Sequence, residues 1–110
     1  MKTLSYKTPW GTVIDNIFID TIEGLTLGRI DEEGHIEPWG YAEAKLPDHH
    51  LLINEVAIRN HSENQGILDA LVEAGIVKAP HRYVVSGYVR YPICILNAEV
   101  AKEYQMEDFL

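Results

Sequence analysis

The sequence predicts an α+β fold: a curved antiparallel sheet, wound as a meander, packed on one main amphipathic helix, with a short helix near the C-terminus. Three observations predict it. Glycines and prolines are spread along the chain as single turn marks, which implies many short elements. One stretch, residues 62–74, carries a helical apolar stripe with end signals. No strand–helix–strand alternation of the doubly wound kind is present. The 110 residues, 46% hydrophobic and 24% charged, make an ordinary globular balance and fit one domain, 1–110.

Residues 1–6 form a short first strand, and Thr8-Pro9-Trp10-Gly11 a turn. Residues 13–22, rich in β-branched side chains and apolar on both parities, read as a strand. Glu23-Gly24 is a two-residue hairpin turn, because Gly supplies positive φ, and residues 25–30 return as the next strand. A polar loop, Asp31-Glu32-Glu33-Gly34-His35, leads into a strand over 36–46, where Pro38 and Gly40 mark an edge or a bulge. Pro47-Asp48-His49-His50 breaks that strand, and a brief strand follows over 55–58.

Ser62 is a good N-cap and Gln65 completes a capping box. Ile67, Leu68, Leu71 and Val72 draw the stripe, and Gly75 falls where a left-handed C-terminal residue is wanted. Gly66 costs roughly 1 kcal/mol against Ala inside a helix, and allows close packing on the sheet. Residues 82–85 and 88–96 are β stretches around Ser86-Gly87, either a hairpin or one bent strand with a glycine bulge. Pro92 cannot donate to a ladder, so its nitrogen must face an edge or a bulge. Asn97 caps a last helix through Gln105, and the tail 106–110 frays.

Nine Lys and Arg stand against seventeen Asp and Glu, a net charge of −8. The basic residues form no run, which argues against direct nucleic-acid contact and suits a protein whose partner is basic. No apolar run approaches the roughly 20 residues of a membrane span, and the first residues lack a secretory apolar stretch, so the expected setting is cytoplasmic. Cys94, the one cysteine, sits in an apolar run and reads as a core residue.

His35, His49, His50, His61 and His81 show no metal-binding spacing, so no metal site and no cofactor are expected. Neither a nucleophile elbow nor a phosphate loop is present, and the chain is read as non-enzymatic, with no catalytic residue. The sharpest feature is acidic: Asp31, Glu32, Glu33 and Glu37, with Asp15, Asp20 and Glu23, crowd the first third. Carboxylates on a small protein can stand in for nucleic-acid charge on a basic surface. Trp39 and Tyr41 share one parity of the neighbouring strand and add aromatic contact residues. Asp31, Glu32, Glu33, Glu37, Trp39 and Tyr41 are therefore the candidate partner-binding set.

Leu46-Pro47-Asp48, Asn54-Glu55-Val56-Ala57-Ile58, Ser62-Glu63-Asn64-Gln65-Gly66, Leu71-Val72-Glu73-Ala74-Gly75-Ile76-Val77, Ser86-Gly87-Tyr88-Val89 and Pro92-Ile93-Cys94 are similar to a family of small proteins of unknown function. That family occurs in bacteriophages and in integrative or conjugative elements of gut bacteria. The resemblance covers residues 46–96, implies a mobile-element origin, and carries no catalytic residue across. Residue pattern and resemblance together lead to a non-catalytic protein-binding module, in its specific form an anti-defence inhibitor of the anti-CRISPR kind on a basic host surface. The alternatives are a histidine/carboxylate metal-dependent enzyme and a homo-oligomeric structural protein. Monomer and homodimer both stay open.

Overall fold

A computed structural model describes residues 1–22, 24–61 and 64–106. The described residues are mostly antiparallel β, in two four-stranded sheets, with two short helices. The first sheet is the meander β1 (Leu4–Lys7), β2 (Val13–Asp20), β3 (Thr26–Ile30) and β4 (Ile36–Tyr41), in that order. The second has β5 (Glu43–Ala44), β6 (Glu55–Ile58), β8 (Val89–Ile95) and β7 (Arg82–Ser86) side by side, with β7 at the edge. Helix α1 spans Ile67–Glu73 and α2 spans Ala98–Lys102.

This corrects the expected α+β arrangement of one meander on one main helix in two respects. The strand expected over 36–46 divides at Ala42, which is fully buried and bonded in two directions. Its N–H donates to the Leu25 carbonyl, and its carbonyl accepts from Arg59 N–H. There the chain leaves the first sheet and enters the second. The expected helix over 62–74 shrinks to seven residues. Gly66 stands at its N-cap with φ 106°, and a Cβ there would lie 2.2 Å from the Lys7 carbonyl oxygen. Such a backbone cannot continue a helix backward. The expected N-cap Ser62 lies outside the described residues. Asn60 supplies the cap from the preceding loop: its Oδ1 accepts from Gly66 N–H and Leu68 N–H, both at 3.0 Å.

The C-terminal end behaves as its sequence suggests. Gly75 is left-handed (φ 78°), with Ile76 N–H on the Leu71 carbonyl and Gly75 N–H on the Val72 carbonyl. That is the paired bonding of a Schellman end. Asn97 caps α2 by accepting from Val100 N–H, though α2 stops at Lys102.

The connection after β2 is longer than a two-residue turn. Asp20 pairs with Thr26, so residues 21–25 form the link; Glu23 lies outside the described residues. Leu25 leaves the ladder to bury itself, and its carbonyl takes the N–H groups of Ala42 and Glu43. Around 86–88 the structure is a hairpin: Ser86 pairs with Val89, and Gly87 (φ 62°) with Tyr88 forms the turn. Positive φ at the first central residue alone is the type II′ pattern, which suits the right-handed twist of the strands. Pro92 lies in central strand β8, just past Ile93, where the β6 ladder ends.

One core cluster joins both sheets and both helices: Leu4, Tyr6, Ile17, Ile19 and Leu27 meet Val56, Ile58 and Cys94, with Ile67, Leu71 and Ala101. A smaller cluster, Ala44, Ala57, Val84 and Ile93, lies on the opposite face of the second sheet beneath Leu46 and Leu51.

Candidate functional site

The β3–β4 hairpin presents the acidic residues at its tip. Asp31 is the residue the turn is built on. Its Oδ1 accepts from Glu33 N–H (2.9 Å) and His35 N–H (2.8 Å), and its own N–H donates to the His35 carbonyl. Asp and Asn hold turns in this way by capturing backbone donors two or more residues on. Glu32 and Glu33 are thereby raised into solvent, both exposed. Glu33 lies 3.5 Å from His35 Nδ1, and among the described residues no cation stands beside Glu32. Ile36, 52% exposed, begins the strand next to them.

Glu37 belongs to a separate group around Arg29. The guanidinium lies 3.1 Å from Asp15 Oδ1 and 3.5 Å from Glu37 Oε1, and 5.7 Å from the centre of the Trp39 ring. The Asp15 hydrogen bond, reinforced by Glu37, holds Arg29 more firmly protonated than usual. Trp39 is the extra residue of a bulge, since Leu27 pairs with Gly40 and Gly28 with Pro38. The half-buried indole donates to the Tyr6 hydroxyl at 2.9 Å. Tyr41, 57% exposed, stands about 16 Å along the strand from Ile36. The structure thus gathers Asp31, Glu32 and Glu33, places Glu37 and Trp39 in the Arg29 group, and leaves Tyr41 apart at the far end of β4.

Sequence reasoning missed the most tightly bonded polar group. Glu55 is the one buried carboxylate among the described residues. Arg82 grips it with two bonds, Nε to Oε2 at 3.0 Å and Nη2 to Oε1 at 2.7 Å. Leu52 N–H donates to Oε1 at 2.9 Å, and His81 Nε2 meets Oε2 at 2.5 Å. The Arg82 bonds, then the backbone donor, hold the Glu55 carboxyl far below the usual carboxylate range. With both oxygens taken, the group fastens the 47–54 loop to the second sheet. The sequence signal was available: Glu55 is the one charged residue of an otherwise apolar strand, Glu-Val-Ala-Ile.

A second missed signal is regional. Residues 74–98 contain Lys78, Arg82 and Arg90 but no Asp or Glu; all seventeen acids lie outside that stretch. Burial pushes the Cys94 thiol up to about 11, as befits an inert core cysteine. His49 and His50 are exposed loop residues. Among the described residues no three His, Cys, Asp or Glu side chains converge as metal ligands. A shallow cleft of about 310 Å³ between β1 and α1 is lined by Lys7, Asp69 and Glu73 and holds none of the candidate residues. Among the described residues no helix is long and apolar enough to cross a membrane. Comparison with known proteins finds no match, whether to a family profile, a curated protein or a solved structure.

Proposed function

We propose that this chain works by contact and not by catalysis: an acidic protein-binding module that sets its β3–β4 hairpin tip against a basic surface of a partner protein, in a cytoplasm. The observation that carries this reading is the tip itself. Asp31 is consumed in building the turn, and that turn lifts Glu32 and Glu33 into solvent beside exposed Ile36. Carboxylates around a small apolar anchor fit a cationic site with a shallow pocket, and the charges steer the encounter. Tyr41, with its side chain exposed, extends the contact at the far end of β4. Glu37 and Trp39 support it from behind, through Arg29 and Tyr6.

The specific form of the proposal is an anti-defence inhibitor from a phage or mobile element, occupying the nucleic-acid-binding surface of a host protein. Supporting it is the −8 charge; the mobile-element origin is itself part of the proposal and rests on the resemblance read in residues 46–96. The test is capture from bacterial host lysate on immobilised protein, with salt and competing nucleic acid as eluents. The expected result is a basic nucleic-acid-binding protein released by both. Retention of no salt-sensitive basic protein overturns the proposal.

A further inference from the structure

The hairpin β7–β8 has no part in that reading. Among the described residues β7 ends its sheet, with a strand on one side only. Its sequence, Arg82-Tyr83-Val84-Val85-Ser86, lacks the Lys, Pro, bulge or acid with which natural edges discourage further pairing. Tyr83 and Val85 share one face, opposite Pro92 and Arg90, and stand 48% and 62% exposed. The Arg90 guanidinium lies 4.0 Å from the centre of the Tyr83 ring. Over residues 74–98 a second copy of the chain meets no carboxylate of that stretch.

We infer that β7 pairs antiparallel with β7 of a second copy about a two-fold axis at Val84, joining the two second sheets into one continuous sheet. The register follows from the strand itself. Antiparallel pairing keeps each face on its own side only when the axis passes through a residue. Full overlap of Arg82–Ser86 then puts the axis at Val84. Tyr83 faces Val85 of the second copy and Val85 faces its Tyr83, two aromatic–β-branched pairs of the favourable kind. Arg82 faces Ser86 in both directions, so no like charges are opposed. The strand is complementary to itself, as a two-fold interface requires. The fully exposed Tyr88 of each turn comes beside Pro80 of the other copy.

Salt separates this inference from the contact reading above. Each copy carries −8 overall, so long-range repulsion opposes pairing and screening relieves it. Self-association therefore strengthens with salt, whereas binding of a basic partner weakens. Sedimentation velocity of the full chain over a concentration series, at low and high salt, is expected to show a monomer–dimer equilibrium that salt moves toward dimer. Val85→Lys weakens it about tenfold, because the substitution enters a two-fold interface twice. The register is read by cross-linking: Tyr83→Cys mixed with Val85→Cys gives a disulfide-linked pair, while either variant alone gives little. Buried Cys94 stays silent. Circular dichroism checks that each variant folds. A monomer at every concentration and salt overturns the inference, as do equal association of Val85→Lys and wild type, or equal cross-linking in the single variants. A monomeric result leaves the edge to a strand of another protein.

Discussion

The first sheet and the second use four strands each, yet they treat charge and register in opposite ways. In the first, pairing shifts between Leu4 and Tyr6 and again between Leu27 and Gly28, and Asn16 takes a left-handed φ of 57°. Its carboxylates stand at the surface: Asp15 and Glu37 share Arg29, while Glu32 and Glu33 extend into solvent. In the second, none of the strand pairs shifts register, and its buried acid, Glu55, is bound on every side. The difference teaches how placement decides what a carboxylate is for. An exposed ion pair contributes about 0–1 kcal/mol and can be altered freely. A desolvated pair is costly to break, because the surviving partner is left uncompensated. The second sheet spends its acid on structure, and the first holds its acids available for contact.

That contrast breaks most sharply at Glu55. Glu55→Gln removes the charge that Arg82 and His81 address, and thermal melting is expected to fall by roughly ten degrees. The same residue sets an acid limb. Its folded pKa is depressed, so its contribution is complete above the ordinary carboxylate value of 4.5 and is lost progressively as pH falls below it. Melting temperature recorded against pH should decline on that side in the wild type and flatten in Glu55→Gln.

Gly28→Ala tests the first sheet's packing. Gly28 pairs with Phe18, and a Cβ there would sit 2.2 Å from Phe18 Cζ, so the ring must move. Chemical denaturation should show a loss of about 1–3 kcal/mol. Gly34→Ala should be milder. Its φ of 85° is unfavourable for Ala, but the space around it is open, and about 1 kcal/mol is expected by the same measurement. Smallest of all is the doubly reversed tip, Glu32→Lys with Glu33→Lys, which should change stability by no more than about 0.5 kcal/mol.

Much of this was legible in the residues. The strand Glu55–Ile58, the hairpin polar tip, the left-handed Gly75 and the Asn97 cap all follow from local chemistry. The division into two sheets does not. Ala42 looks like any small strand residue, and only its bonds to Leu25 and Arg59, distant in sequence, make it the crossing point. Helix α1 starts later than its sequence signals for a related reason. The apolar stripe at Ile67 is real, but Gly66 is held against Lys7, sixty residues away in the chain by roughly that count, and tertiary contact overrides propensity there. At the candidate site, the acidic tip was visible as a charge run. The roles of Asp31 as turn builder and of Arg29 as the link between Glu37 and Trp39 needed three-dimensional neighbours.

The most direct measurement sets retention of a basic nucleic-acid-binding partner by the wild-type chain beside retention by the chain with Glu32→Lys and Glu33→Lys, each with its melting curve. The account predicts unchanged melting and lost retention. Retention that survives reversal of both charges, in a variant that melts like the wild type, contradicts it.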